Sequence, residues 1–368
     1  METNTKKLLE VDDFKRAYQE TELPNCHYLK LKSPLAVQFE LTSGCNQRCI
    51  FCYNVWKELC SKQNSTTLPK EKQFEVIDKL IENEILDIVF SGGEPLLVLW
   101  LNELIKKCSD AKIHTTIVTN AILMTSEIAK KLKNAGLDDM QISIHHYKPE
   151  INDKLTGIKG SFQKTVEGIK KAILVFGINN VNVNMVALPE TYKDVYRMAQ
   201  FLKNIDVGSF TIGTPSATGK MKRNKNLVIN KKMFLEIYEQ LRKAKKKLNI
   251  NVGFTGGFPM CLLPEINKET INMIGNYCDA GLNQLVIGSD GELRPCVCLS
   301  KKLGNILEDD LKEIWNNNKF LLNIREMKFV PNRCHDCEYV SICRGGCRAS
   351  AQGYFGKINA IDPLMKDE

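Results

Sequence analysis

The chain has 368 residues, 43% of them hydrophobic and 26% charged, with a formal charge of +8. That length exceeds one small module and suits a barrel-sized domain with a smaller one, and the composition is that of an ordinary globular protein. No apolar run is long enough to span a bilayer, and the polar first ten residues do not read as a secretory signal, so a cytoplasmic protein without a membrane partner is expected.

A first strand is expected at 37–41, where Val37, Phe39 and Leu41 alternate with polar residues. Helical periodicity follows at 70–82, then a strand at 87–90, a helix near 98–108 and a strand at 114–119. A helix near 126–134, a strand at 140–144 and a helix at 162–176 come next. A strand at 181–187, a helix at 192–203 and a strand at 209–213 complete the series. Six strands alternating with helices argue for parallel βα units, which right-handed crossovers curl into a full or partial barrel. Working residues then belong at the C-terminal ends of the strands.

After a helical stretch at 231–248 the character changes, and from Gly253 onward glycine, proline and cysteine multiply. A hairpin is expected around Asp290-Gly291, with strands at 285–287 and 293–295, followed by a short helix at 309–317. The expected organisation is an N-terminal segment at 1–34, an α/β partial (β/α)6 TIM-type barrel at 35–255 and a small cysteine-rich C-terminal domain at 256–368. Basic runs at 220–225 and 243–247 read as a solvated loop and a helix end. Neither is interleaved with aromatics, so no nucleic-acid partner is expected, and attraction to an acidic peptide or protein is the lesser reading.

There are fourteen cysteines. Without a secretory signal, thiolates are more often metal ligands than disulfide partners. Cys45, Cys49 and Cys52 follow the first strand as C-x3-C-x2-C. Iron–sulfur clusters normally take four thiolates, so three in one tight loop imply an open iron. Structural zinc is the alternative, but its common spacings pair cysteines as C-x2-C with a second pair. The strand at 87–90 runs into Ser91-Gly92-Gly93-Glu94-Pro95, where a double glycine lets backbone approach a ligand closely and a carboxylate can accept from an ammonium group.

The cysteine loop, with aromatic Phe51 before its third cysteine, resembles the signature of the radical S-adenosylmethionine superfamily. The resemblance implies a [4Fe-4S] cluster whose open iron is chelated by the methionine part of S-adenosylmethionine. One electron then breaks the S–C5′ bond, and the 5′-deoxyadenosyl radical takes hydrogen from a substrate. It also implies an electron donor such as flavodoxin or ferredoxin. Gly92, Gly93 and Glu94 are similar to the family's motif for the methionine amino group. Thr119-Asn120 and Ser143 match positions that contact nucleoside or substrate in relatives. His145 stands where many relatives carry an acidic residue. It is expected at the barrel mouth, near nucleoside or substrate, as a catalytic proton acceptor or ribose donor titrating near neutral pH.

Cys334, Cys337, Cys343 and Cys347 follow as Cys-x2-Cys-x5-Cys-x3-Cys, with Cys278 and Cys296 bracketing the hairpin. Four cysteines in fourteen residues, flanked by Arg, Asp and Gly, favour metal ligation over core packing, with zinc as a competitor for this region taken alone. The order, with Arg344-Gly345-Gly346-Cys347-Arg348, resembles the SPASM extension of the same superfamily. That resemblance implies one or two auxiliary iron–sulfur clusters, one held by Cys278, Cys296 and Cys347 and another by Cys334, Cys337 and Cys343. The extension normally ends in a cysteine after an Asp-Pro, whereas here Asp362-Pro363 leads to Leu364-Met365. Asp362, water or Met365 could substitute in the second cluster, and Cys298 or Cys261 could complete the first. If left open, the first could hold a substrate thiolate for thioether formation. If closed, the clusters would conduct electrons, which suits oxidation or carbon–carbon coupling. Cys26, Cys60 and Cys108 fit no ligand pattern.

The resemblance makes a peptide or protein the leading substrate. The alternative is a small molecule of modified-tetrapyrrole or other cofactor synthesis, and third is a non-catalytic electron-transfer protein. Only about 34 residues precede the first strand, too few for a separate leader-binding domain.

Overall fold

The computed structural model describes residues 18–19, 30–55, 67–266, 273 and 278–366. Runs rich in Val, Ile, Phe and Thr form seven parallel strands in chain order: β1 (Ala36–Thr42), β2 (Asp87–Gly92), β3 (His114–Thr119), β4 (Asp139–Ser143), β5 (Val181–Val186), β6 (Ser209–Gly213) and β7 (Asn251–Thr255). Between them lie α1 (Lys70–Glu82), α2 (Leu101–Asp110), α3 (Ser126–Ala135), α4 (Pro149–Thr156), α5 (Ser161–Phe176), α6 (Val195–Lys203) and α7 (Lys231–Leu248). Each helix buries one apolar stripe. In α1 it is Val76, Ile77 and Leu80, and in α3 it is Ala129, Leu132 and Ala135. The ends of α3 are set locally, by Thr125 accepting from the Ile128 amide and by Gly136 in the left-handed region.

All six expected βα strands are present, and the sheet gains one more parallel strand at each side. β7 carries no readable alternation, because Gly253 at its centre belongs by composition to the glycine-rich tail. In the fold that glycine admits a close approach, since a Cβ there would lie 3.0 Å from the Met273 carbonyl oxygen. On the other side β8 (Gln284–Ile287) pairs in parallel with β1, Leu285 against Val37 and Ile287 against Phe39. The hairpin strand β9 (Glu292–Arg294) and β10 (Gly304–Asn305) continue the sheet antiparallel. The order is β10-β9-β8-β1-β2-β3-β4-β5-β6-β7, an open ladder. Across the junction, Arg294 on β9 forms an ion pair with Glu40 on β1, the two side chains 3% and 1% exposed.

Other boundaries move for local reasons. The helix expected from 192 begins as a 3-10 turn, Tyr192–Asp194, so α6 starts later, and the one expected near 98 starts at Leu101, after a separate 3-10 turn at Pro95–Leu97 and an extended Val98. α4 is short and was not foreseen, although Pro149 at its first turn and Gly157 in the left-handed region after it are ordinary boundary residues. The basic run at 220–225 is solvated as expected, with Lys222, Arg223 and Lys225 exposed, but it is more ordered than a plain loop. It forms 3-10 turns with Gly219 and Met221 buried, and the Lys220 amide donates to the Cys52 carbonyl at 2.9 Å. The C-terminal part carries α8 (Leu311–Asn317), α9 (Lys319–Arg325), α10 (Val340–Cys343) and α11 (Arg348–Phe355). Cys26, Cys60 and nearly all of 1–29 lie outside the described residues. Among the described residues no helix is long and apolar enough to cross a membrane.

Candidate functional site

The C-terminal ends of β1 and β2 make the floor of the site. A register shift between Glu40 and Thr42 bends β1 as it leaves the sheet. Gly92 takes a φ of +124°, and a Cβ on Gly93 would fall 1.8 Å from the Gly44 carbonyl oxygen. The Gly93 amide donates to the Thr42 carbonyl at 2.6 Å and the Glu94 amide to that of Gly44 at 2.9 Å. The double glycine therefore lets β2 lie directly against the start of the cysteine loop.

That loop is held on several sides. The amides of Arg48 and Ile50 donate to the carbonyls of Thr156 and Leu155, at 2.8 and 3.0 Å. Asn54 donates from Nδ2 to the Gly92 carbonyl at 3.0 Å. Gly219, with φ +57°, is pressed so close that a Cβ would lie 2.4 Å from the Cys52 carbonyl oxygen. Cys45, Cys49 and Cys52 line a cavity of about 150 Å³ together with Phe51, the Gly92-Gly93-Glu94 turn, Asn120, Ser143 and His145. All the candidates for the first cluster and its cofactor thus border one cavity.

Glu94 is 1% exposed, and its oxygens accept from the Thr119 hydroxyl at 2.6 Å, the Asn120 amide at 2.8 Å and the Leu96 amide at 3.0 Å. Burial raises its pKa, and these three bonds pull it back. The carboxylate braces β2 against the end of β3 and keeps limited capacity for a further donor. Asn120 donates to Asn46 Oδ1 at 2.6 Å, tying that brace to the cysteine loop, while Asn46 Nδ2 is buried without a partner.

His145 and His146 part company. Nδ1 of His145 accepts from the Val186 amide at 3.3 Å, and its ring meets Phe51 edge-on with centroids 4.5 Å apart. Burial pushes His145 down to about 3, so the expectation of titration near neutral pH is corrected: the ring is neutral, with its proton on Nε2. It is a weak proton acceptor, and a neutral N–H donor is the chemistry left to it. His146 is buried the other way, its Nδ1 accepting from the Lys148 amide at 3.0 Å and its Nε2 lying 3.3 Å from Asp194.

The far C-terminal cysteines fall into two groups. Cys296 and Cys298 hydrogen-bond each other; Cys347 is within electrostatic reach of both, and Cys278 is within reach of Cys296 and Cys347. Ser216 Oγ lies 3.7 Å from Cys347 Sγ, and the Ser350 amide donates to the same sulfur at 3.4 Å. Cys334, Cys337 and Cys343 form the second group. Asp362 does not join it: one oxygen accepts from the Cys347 amide at 2.7 Å, the other from the Leu364 amide at 2.9 Å. Met365 is buried against Val330 and Cys334. Cys108 is buried in the core. Among the described residues no three His, Cys, Asp or Glu side chains close around a point fit for one metal ion.

Sequence reasoning missed the polar cavity walls. Gln141 and Asn184 line the cavity, and Asn184 donates to Thr211 and Thr255 at 3.0 and 3.1 Å. The signal was present in β5, Val-Asn-Val-Asn-Met-Val, whose asparagines alternate with buried apolar residues. It also missed Asn54 and Asn46, which the spacing of the cysteines does not mark.

Comparison with known proteins identifies the family and the fold. The sequence model of the radical SAM superfamily matches residues 39–202, and that of SPASM, an iron–sulfur cluster-binding domain, matches residues 278–338. The AdoMet-dependent heme synthase of Methanosarcina barkeri is 27% identical over 343 residues, covering 90% of this chain and 96% of that protein. The PqqA peptide cyclase of Rhizobium meliloti is 24% identical over 345 residues, covering 91% and 88%. The crystal structure of Streptococcus suis SuiB bound to precursor peptide SuiA shares the fold, with a TM-score of 0.73 at 20% identity, over 90% of this chain and 75% of that one.

The chain belongs to the radical SAM superfamily. Within it, this is an iron–sulfur enzyme with a C-terminal SPASM domain, whose cofactors are S-adenosylmethionine and [4Fe-4S] clusters. The residues present fit these groups. The loop donors are all soft thiols, as iron–sulfur clusters require. The unpartnered Asn46 Nδ2 beside Cys45 is a buried donor of the sort a bound group satisfies.

Proposed function

We propose that this enzyme cleaves S-adenosylmethionine reductively in the cavity and modifies a peptide or protein side chain by oxidation or carbon–carbon coupling. Cys45, Cys49 and Cys52 would hold the first cluster. When bound, that cluster and S-adenosylmethionine supply a 5′-deoxyadenosyl radical that takes a hydrogen atom from the substrate. Gly92 and Gly93 let backbone approach the methionine part, and Glu94 keeps the turn rigid. Asn120 and Ser143 offer polar groups to the nucleoside or substrate. Phe51 and neutral His145 form a wall that limits water, and His145 Nε2–H can donate without adding charge.

One observation carries the choice of reaction: Cys298 lies beside Cys296 and within reach of Cys347, and Cys278 is within reach of both Cys296 and Cys347. With four thiols this group would be closed, with no open iron for a substrate thiolate. That argues against the thioether reading and favours auxiliary clusters that carry electrons from an oxidised substrate. Peptide-modifying relatives support the peptide reading, with an electron donor such as flavodoxin or ferredoxin for the first cluster. A second reading, a tetrapyrrole substrate, is favoured by the near-complete span of the M. barkeri heme synthase, 96% of its length.

The test incubates the anaerobically reconstituted enzyme with S-adenosylmethionine, reductant and the peptides encoded beside its gene. Loss of a hydrogen pair from a peptide, with deuterium transferred from labelled peptide into 5′-deoxyadenosine, is the expected result. Turnover of a propionate-bearing tetrapyrrole with no change in any peptide would move the assignment to the second reading.

A further inference from the structure

We propose that Cys261 is the fourth ligand of the second auxiliary cluster, completing the set Cys334, Cys337 and Cys343. The inference rests on the iron–sulfur character of the C-terminal region and not on the substrate reading. Cys261 lies outside the residues matched by the cluster-binding domain, 278–338, and far from the other three in sequence.

The fold brings it to them. After β7 the chain runs through Phe258 and Pro259 into a 3-10 turn, Met260–Leu262, anchored by Met260 and Leu262 in the core. The Met260 amide donates to Cys343 Sγ at 3.4 Å, and the Phe258 carbonyl oxygen lies 4.0 Å from that sulfur. The residue next to Met260 is Cys261, held at the surface beside Cys343 by this turn. This places the Cys261 thiol close enough to Cys343 and Cys337 to feel their charge. Cys334 in turn lies within electrostatic reach of Cys343, Cys261 and Cys337. Four thiols therefore share one electrostatic neighbourhood, the number an iron–sulfur cluster normally takes.

The competitors are engaged elsewhere. Both oxygens of Asp362 accept backbone amides, one of them from Cys347, and the residue is 2% exposed. Cys298 belongs with Cys296, to whose sulfur its amide donates at 3.3 Å. Met365 is the remaining rival, since its side chain packs on Cys334, but it sits in an apolar cluster with Val330. A thioether there is a weaker donor than a thiolate.

The experiment uses the full chain, reconstituted anaerobically, as wild type, Cys261→Ala, Met365→Leu and Asp362→Asn. Iron and acid-labile sulfide are counted per chain, and Mössbauer and paramagnetic resonance spectra are recorded. Cys261 is at the surface, so Cys261→Ala leaves the core intact, and retention of the first cluster's response to S-adenosylmethionine verifies the fold. The expected result is loss of roughly a third of the iron in Cys261→Ala, from about twelve to about eight atoms, or conversion of one cluster to a three-iron form. Met365→Leu should keep the full complement. Unchanged iron and spectra in Cys261→Ala would overturn the assignment. So would cluster loss confined to Met365→Leu or Asp362→Asn, or zinc in place of iron at this set.

Discussion

The two cysteine-bearing regions are built on opposite plans. The first keeps three thiols within eight residues, Cys45 to Cys52, on one loop clamped by β2, by α4 and by the turn at Gly219. The C-terminal thiols come from separate stretches: the turn at Met260–Leu262, Cys278 ahead of β8, Cys296 and Cys298 after β9, and the run from Cys334 to Cys347. A local loop fixes its donors by its own backbone, so spacing alone identifies them. A dispersed set is fixed by packing, so spacing says which thiols can ligate and not which belong together.

If the plans are independent, the largest effect comes from emptying the local loop. Changing Cys45, Cys49 and Cys52 together to Ala should abolish 5′-deoxyadenosine formation and the paramagnetic signal that responds to S-adenosylmethionine. About eight of about twelve irons should remain in the C-terminal sets. Loss of all iron in the triple variant would mean that the dispersed sets depend on the local one.

A smaller effect probes the clamp. In Gly93→Ala the new methyl meets the Gly44 carbonyl, and backbone cannot yield as a flexible side chain can. We expect destabilisation of about 1–3 kcal/mol or more, read from denaturant midpoints. The first cluster's spectrum should be perturbed and the auxiliary spectra unchanged. A variant with wild-type stability and cleavage rate would break the link between the double glycine and the loop.

The smallest effect concerns His145. Its pKa falls from 6.5 to about 3 on folding, so the unfolded chain binds a proton that the folded chain refuses. The stability this contributes is full above pH 6.5 and is lost as pH falls toward 3. The slope approaches about 1.4 kcal/mol per pH unit below the unfolded pKa. His145→Gln should flatten the pH dependence of urea unfolding between about pH 7 and about pH 5. An unchanged slope would show that the imidazole is solvated.

Much of this molecule was legible because its signals are local. Strands such as His114–Thr119 and Ser209–Gly213 stand where hydrophobic patterning puts them, as does α7. What escaped depends on distant packing. β7 has a glycine at its centre because the Met273 carbonyl passes against it, and no alternation within five residues reports a neighbour from elsewhere. The neutral state of His145 is set by burial against Phe51 and Val186, which the pair His145-His146 does not encode. The basic run at 220–225 is exposed as its composition suggests, but its bonds to the cysteine loop escaped: the Lys220 amide to the Cys52 carbonyl and its Nζ to the Arg48 carbonyl at 3.3 Å.

The parallel pairing of β8 with β1 bears on how the chain reaches this state. Val37 must wait for Leu285, from the far end of the sequence, before its edge of the sheet is covered. Contacts of such long separation form late, because the intervening loop must be ordered first. Until then β1 offers an unpaired apolar edge, with Phe39 and Leu41 beside it, to any other unfinished chain. Residue 255 therefore marks a change of character in the sequence without being a place to cut. A fragment ending there would keep its cysteine loop and lose the strand that shields it from self-association.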